Sequence, residues 1–260
     1  VKIDCHSKVN LGLRVLYQRS DGYHELETVF QELAWGDQLE LVPAIEFSFT
    51  TSGIAVPSGS DNLCVKAYEL FRKHRSETPP VQIHLHKVVP PGSGLGGGSA
   101  DAAAVLKALN RLTNGPLSER ELINLAAELG SDVPFFIRGG TQWAWGRGEK
   151  LMSIQLDFTG WFLLVIPPIH ISTRWAYQAL NSRLTGRRSP VTFRGLLKKA
   201  DLVRFFENDF ESVVIPAYPE IGAIKETLIE EGAFFAGLSG SGATMYGIFS
   251  ERDQAETAAR

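Results

Sequence analysis

Cysteine is scarce in this chain. Cys5 and Cys64 are the only two among 260 residues, too few for a disulfide framework, and a reduced intracellular setting is the simple expectation. An excess of charge of one sign is also missing. The 26 Lys and Arg nearly balance the 29 Asp and Glu, leaving a net charge of −3, so nothing in the balance favours nucleic acid or an anionic membrane surface. The longest apolar run, Trp161–Ile169, is too short to span a bilayer and is interrupted by prolines. The stretch "VKIDCHSK" has no apolar core of the kind a signal peptide needs. HExxH and Cys-x-x-Cys patterns are lacking, and no residue set is assigned to a metal. "GLSGS" (237–241) lacks the final glycine of a nucleophile elbow. Neither an internal repeat nor a low-complexity tract is seen. Together these absences predict a soluble, cytoplasmic protein without nucleic-acid or membrane partners.

What remains is ordinary globular composition, 44% apolar and 21% charged, enough for one large domain or two small ones with a sizeable core. "VKIDCHSKVNLGLRVL" reads as strands around a bend, because alternation surrounds a polar centre. "DGYHELETVF" starts on an Asp-Gly turn and continues as a strand. "DNLCVKAYELFRKH" spaces Leu63, Ala67, Leu70 and Phe71 as a helix, with Asp61 as its cap. "VQIHLHKVV" alternates as a half-buried strand, and His84 and His86 share its exposed face. Ser118 and Glu121 form a capping box for a helix that Gly130 stops. "SADAAAVLKALNRL" is a helix with Gly115 past its end. "GWFLLVIPP" reads as a short buried strand, "PEIGAIKETLIEEG" as a helix ended by Gly232, and "AFFAGLSGSGATMYGIF" as strand, glycine turn, strand. Strands and helices mix without regular alternation, so the fold class is α+β. A division near residue 150 gives two halves, 1–150 and 151–260. Arg183, Arg187 and Arg188 read as a solvated loop.

The segment from Gly92 to Ser99 holds five glycines, two serines and a leucine. Gly92-x-Gly94-x-x-Gly97 matches the dinucleotide fingerprint, but Pro90-Pro91 breaks the strand that should feed it, and the acidic residues about 20 positions on, Glu119 and Glu121, open another helix. A Walker loop needs a lysine where this chain has Gly98-Ser99-Ala100. What survives is the physics that both motifs share. Glycines leave main-chain N–H groups bare, and the helix that follows offers unpaired N–H groups and the positive end of its dipole to an anion. Ser99 fits a cap, a phosphate contact or a metal contact equally well. "GLSGSG" is a plain hairpin turn or an extension of the same cradle.

A phosphoryl acceptor also needs positioning, a proton acceptor and cationic charge nearby. Lys8 and Asn10 stand two apart on one strand face, and Asp132 follows a helix end two residues before Pro134. By pattern alone a lone Lys or Asp is more often a solvated surface charge.

Lys8-Val-Asn-Leu-Gly-Leu, Asp21-Gly-Tyr-His-Glu-Leu, Pro90-x-x-x-Gly-Leu-Gly-Gly-Gly-Ser-Ala, Gly130-Ser-Asp-Val-Pro-Phe-Phe and Leu238-Ser-Gly-Ser-Gly-Ala-Thr stand in this order. The set resembles the GHMP kinase superfamily over about residues 2 to 250. "DGYHELET", "GRGEKL" and "NDFE" resemble the branch that acts on a cytidine-diphosphate-linked sugar alcohol in the non-mevalonate isoprenoid pathway.

The resemblance implies a ribosomal-protein-S5-like N-terminal domain and a ferredoxin-like C-terminal domain. It implies ATP as co-substrate, with Mg²⁺ carried mainly by its phosphates, and a monomer or weak homodimer. It makes Asp132 the general base and Lys8 its companion. Asn62, Lys87, Pro90, Pro91, Gly92, Ser93, Gly94, Leu95, Gly96, Gly97, Gly98, Ser99 and Ala100 would bind ATP. Asn10, Tyr23, His24, Tyr177 and Gly240 would bind the substrate, with Trp175 the competitor of Tyr177 for the second stacking ring. The chain departs from the family at "CHSK", where Pro-Ala usually precedes the lysine, and at Trp143 and Trp145, where smaller residues are common. The alternatives are another small-molecule kinase of the superfamily, such as homoserine kinase, which the Tyr23-His24 pair disfavours, and a nucleotide-binding protein without catalysis, which the retention of Lys8 and Asp132 disfavours.

Overall fold

The computed structural model describes residues 1–113, 116–184, 186–190 and 196–260; Gly115, expected past the end of a helix, lies outside them. The chain runs β1 (Lys2–Gln18), β2 (His24–Pro43), β3 (Ser48–Gly53), α1 (Leu63–His74), β4 (Val81–Lys87), α2 (Gly97–Leu112) and α3 (Glu119–Leu129). It continues through α4 (Val133–Arg138), β5 (Thr141–Gly146), β6 (Lys150–Ser153), β7 (Gln155–Leu156), β8 (Trp161–Val165) and α5 (Thr173–Asn181). It ends with β9 (Leu196–Leu197), α6 (Lys199–Phe205), α7 (Glu211–Ala217), α8 (Pro219–Glu230), β10 (Phe235–Leu238), β11 (Met245–Phe249) and α9 (Arg252–Ala258). These elements gather into two compact units, each assembled from several stretches of chain. The first holds Val1–Lys8, Glu32–Pro91 and Gly96–Gly139, and the second holds Val9–Gln31, Gly92–Leu95 and Gly140–Arg260.

In the first unit β4 pairs antiparallel with β2, with Leu39 opposite Leu85 and Leu41 opposite Ile83, and parallel with β3. Its alternation is strict: Val81, Ile83 and Leu85 are buried, while Gln82, His84 and His86 face out. His84 spends both ring nitrogens on Thr50 and Ser52, and His86 spends Nδ1 on Ser52. α2 packs against α1, α3 and α4. Ala102, Ala103 and Ala104 are all buried, and their small side chains let neighbouring backbones approach closely. Each fully buried Leu or Ile in this core contributes about 1.5–3 kcal/mol. Helix α1 is capped by Asn62, not Asp61: Asn62 is extended and its Oδ1 accepts from Cys64 N at 2.9 Å, leaving Asp61 one residue too early. The capping box Ser118–Glu121 forms in both directions.

The second unit contains an antiparallel sheet in the order β10-β11-β8, with Leu238 opposite Met245 and Met245 opposite Val165. α8 lies on this sheet, and Gly232 turns the chain after it at φ +96°. β8, one of the two edge strands of this sheet, is half-buried with Trp161 exposed, rather than fully buried as expected. Phe210, Val214, Ile221 and Phe249 fill the core between sheet and helices. The first half of β2 pairs with β5, and β5 pairs with β6.

β1 corrects a further expectation. It is one strand of 17 residues, not strands around a bend. Its polar centre is buried, and the hydrogen bonds and charges described below satisfy those side chains inside the strand. Among the described residues no helix is long and apolar enough to cross a membrane.

Candidate active site

In the first unit the glycine-rich segment runs into α2. Gly96 is the N-cap, in the left-handed region at φ +71°, and having no side chain it supplies no capping hydrogen bond. Ser99 is therefore inside the first turn and is not the cap, and the helix opens at Gly97. The first N–H groups of α2 are of the kind that an anion satisfies. A Cβ on Gly96 would lie 2.9 Å from the Phe136 ring and 3.2 Å from Lys8 Cε. The stem of Lys8 and the Phe136 ring of α4 thus leave no room for a side chain at Gly96.

Lys8 Nζ stands 3.6 Å from Asp132 Oδ2, with the lysine side chain 4% exposed and the aspartate side chain 36% exposed. Burial pulls the Lys8 ammonium below its ordinary range, and the Asp132 carboxylate opposes that pull. Asp132 occupies the N-cap position of α4, yet its side chain makes no capping hydrogen bond. Its carboxylate is half-exposed and backed by a cation. That combination suits a group that accepts a proton from an alcohol.

Lys87 is also buried, but its ammonium faces inward. It contacts Asp37 Oδ2 and lies 3.0 Å from Asp101 Oδ2. Burial acts to lower the Lys87 pKa; the two carboxylates outweigh it and hold the ammonium above its usual range. Burial pushes the Asp101 carboxyl up to about 7; Lys87 opposes the rise and the neighbouring Asp37 adds to it. Asn62 is occupied as a cap and donates from Nδ2 to Pro57 O at 2.8 Å. Pro91 and Gly98 are exposed, Pro90 and Ser99 are half-buried, and Ala100 is buried.

The second unit holds Gly92–Leu95. Ser239 Oγ donates to Gly94 O at 2.9 Å, and Thr244 N donates to Ser93 O at 3.3 Å. Gly94 has φ +85°, and a Cβ there would sit 2.2 Å from Ser239 O, so only glycine fits. The "GLSGSG" turn is therefore packed directly on this part of the glycine segment. Ser93 and Leu95 are buried, Gly92 lies beside His170, and Gly240 lies beside Gly94 and Asn10. Asn10 Nδ2 donates to Thr28 Oγ1 at 3.0 Å, and the Asn10 carbonyl accepts from Tyr246 at 2.7 Å.

Elsewhere in the same unit His24 stacks on Tyr177, with ring centroids 4.5 Å apart and planes 20° apart. His24 Nε2 is 2.6 Å from Asn181 Oδ1. Trp175 instead meets Tyr218 edge-on, so of the two competing rings it is Tyr177 that accompanies His24. Tyr23 is 55% exposed, with the Arg147 guanidinium over its ring at 4.7 Å. Trp143 is buried on β5. The basic cluster divides its contacts: Arg188 pairs with Asp209, Arg183 donates to Ser212 O, and Arg187 lies over Tyr17. No group of three or more His, Cys, Asp or Glu side chains among the described residues is arranged to hold a metal ion.

Comparisons with known proteins identify the family. The family described as GHMP kinases N terminal domain matches residues 62–140, and GHMP kinases C terminal matches residues 193–260. A 4-diphosphocytidyl-2-C-methyl-D-erythritol kinase of Prosthecochloris aestuarii is 38% identical over all of this chain and 92% of its own length. That of Caldanaerobacter subterraneus subsp. tengcongensis is 42% identical over 96% of this chain and 88% of its own. The chain belongs to the GHMP kinases, in the family of 4-diphosphocytidyl-2-C-methyl-D-erythritol kinases.

A crystal structure of 4-(cytidine 5'-diphospho)-2C-methyl-D-erythritol kinase matches this GHMP kinase with a TM-score of 0.83 and 33% identity, covering 100% of this chain and 94% of that one. A mevalonate kinase structure matches at a TM-score of 0.73 but 12% identity, a likeness of fold alone. The expected two-part α+β kinase fold is thus borne out, as is the enzyme class.

Asp37, Asp101 and Phe136 lie against the glycine segment and its flanks and are not picked out by pattern, whereas Ser239 and Thr244 belong to the turn already singled out as an extension of the cradle. Asp101 carried the clearest signal, as the one acid in an alanine-rich run (99–104) directly after the glycines.

Proposed function

We propose that this GHMP kinase transfers the γ-phosphoryl group of ATP to the 2-hydroxyl of 4-diphosphocytidyl-2-C-methyl-D-erythritol, giving the 2-phosphate and ADP in the non-mevalonate isoprenoid pathway. The observation that carries the chemistry is the Lys8–Asp132 pair, whose lysine stem lies beside Gly96 of the glycine loop, where an added Cβ would come within 3.2 Å of Lys8 Cε. In this reading Asp132 takes the hydroxyl proton as the alcohol oxygen forms its bond to the γ-phosphorus and the bond from that phosphorus to the bridging oxygen of ADP breaks. Lys8 holds positive charge beside the developing alkoxide and beside the Asp132 carboxylate. Main-chain N–H groups of the segment from Gly92 to Ser99 hold the phosphates. Mg²⁺ enters as part of the nucleotide substrate and offsets phosphate charge.

Tyr23, His24 and Tyr177 take the cytosine ring and Asn10 and Gly240 line the acceptor, while Asn62 and Lys87 lie on the nucleoside side of the ATP site. Of these, Lys87 acts through the loop and not by direct contact, since its ammonium is taken up by two carboxylates. Residues 1–150 form the ATP-binding domain and 151–260 the C-terminal domain. That division follows the chain and cuts across the two compact units, because β1 and β2 run through both. The enzyme acts in the cytoplasm as a monomer or weak homodimer.

An ATP-consumption assay tests the reading. ADP release is expected with the diphosphocytidyl sugar alcohol and not with homoserine or mevalonate. Equal or faster turnover of homoserine would overturn the acceptor assignment.

A further inference from the structure

The buried ammonium of Lys87 links three places on the chain that flank the glycine segment. Lys87 is the last residue of β4, two residues before Val89, where the chain leaves the sheet. Asp37, on β2, accepts the N–H of Val88 at 2.5 Å and of Val89 at 2.8 Å through Oδ1, while its Oδ2 contacts Lys87. Asp101, one turn into α2, meets the same ammonium at 3.0 Å. The start of the glycine segment and the helix at its end are therefore fastened to one point. That point lies directly beneath the loop: a Cβ on Gly97 would be 2.9 Å from Lys87 Nζ and 2.9 Å from Val89 Cγ1. Gly97 does not have a positive φ, so the requirement for glycine there is one of space above the ammonium.

This arrangement is a poor way to gain stability. Three ionisable groups are almost wholly removed from water, and one ammonium faces two carboxyl groups. Asp101 Oδ1 is buried without a hydrogen-bond partner among the described residues. Apolar residues of similar volume often match or exceed the stability of a buried ion cluster. What such a cluster does supply is geometry, because each charge has only one place where it is satisfied.

We infer that Asp37, Lys87 and Asp101 are positioning residues for ATP, which set the spacing between the two ends of the glycine segment and so hold the Gly97 main chain in register for phosphate. The inference rests on the nucleotide reading above. It extends that reading from residues that touch the ligand to residues that do not.

The test uses the full chain and the variants Asp37→Asn and Asp101→Asn. Three quantities are read: the Kd for a non-hydrolysable ATP analogue without acceptor, and the separate KM values for ATP and for the alcohol. Both variants are expected to raise the analogue Kd and the ATP KM about tenfold, the size of one lost charge-assisted contact, with the alcohol KM within about twofold of wild type. A role in folding alone would lower the melting temperature and move both KM values together, or neither, and either result overturns the proposal. If Asp37→Asn does not fold, Asp101→Asn carries the test, since it preserves side-chain volume and one acceptor. Wild-type protein that bound no ATP analogue would sink the nucleotide reading itself. Wild type that bound the analogue but used another alcohol would leave the positioning role standing and be read on ATP alone.

Discussion

The Lys8–Asp132 pair and the His24–Tyr177 pair are each two side chains in contact, made from opposite materials. The first joins an ammonium that is 4% exposed to a half-exposed carboxylate, at a separation of 3.6 Å. The second is a pair of flat rings 4.5 Å apart, beside a segment whose own ring, Tyr23, is open to solvent. Moving charge during phosphoryl transfer needs a fixed counter-charge in a dry setting, because its effect weakens steeply with solvent and distance. Recognising a nucleobase needs area and planarity, which the half-buried Tyr177 ring and the exposed Tyr23 ring supply. The two pairs should therefore fail in different ways when broken.

The largest failure is expected at Asp132. Asp132→Asn keeps the shape and removes the proton acceptor, so turnover should fall by about 10²–10⁴-fold, the usual contribution of a general base. ATP affinity should change little, since Asp132 is assigned no phosphate contact. Single-turnover phosphate transfer with saturating ATP reads this directly, and near-normal turnover would remove Asp132 from the chemistry. Gly96→Val comes next. Its Cβ would press on Phe136 and Lys8 from a left-handed backbone, so ATP affinity should drop on the order of tenfold or more, as when a charge-assisted contact is lost. Calorimetric titration with ATP checks it, and unchanged affinity would separate the loop from the phosphates.

The ring pair should give a smaller and more selective effect. Tyr23→Ala and Tyr177→Ala each remove a face on which a base stacks, a contribution of about 1–3 kcal/mol where it has been measured. The KM for the cytidyl substrate should rise by roughly tenfold while the KM for ATP stays put. Equal rises in both would move these tyrosines out of the base pocket. Trp175→Ala sharpens the comparison. Trp175 packs on Tyr218 and not on His24, so it should lower the melting temperature without the selective rise in KM.

The parts of this fold that pattern reached are those where one face is dry and the other wet. β4 alternates without error, α1 and α3 show an apolar stripe, and Ser118 and Glu121 close a cap that their spacing announces. Pattern failed where polar groups are buried for a purpose. Lys8 and Asn10 sit at interior positions of β1, and a reading based on hydrophobic alternation breaks the strand there. The strand continues because Asp132 faces Lys8 and Thr28 faces Asn10. Within the candidate site, the glycines were legible from chemistry at short range, whereas Lys8 and Asp132 read by pattern alone as solvated charges and stood out only through the family resemblance. Asp37 was not legible: it stands 50 residues before Lys87, in "AWGDQLEL", where nothing local marks an acid as buried. Only pairing of β2 with β4 brings them together.

Asp101 belongs with that hidden group, and its titration gives the smallest effect. Its carboxyl has a pKa of about 7 in the folded chain against 3.8 for the free side chain, with burial the leading cause. The folded state thus holds this proton more tightly than the unfolded state, and folding stability falls as pH rises through the window from about 4 to 7. The slope from one such group is at most about 1.4 kcal/mol per pH unit, or roughly 2–4 °C in melting temperature per unit for a chain of this size. Lys87, held above its usual range by the two carboxylates, keeps its proton across the whole window and adds no slope. Asp21, Glu77 and Glu121 are held below the ordinary carboxylate range by hydrogen bonds and lose their protons below it. Asp101→Asn cannot titrate, so its melting temperature should vary less steeply than that of wild type between pH 5 and pH 7. Parallel curves for the two proteins would mean that Asp101 is ionised throughout and that the buried node carries its full negative charge beneath the loop.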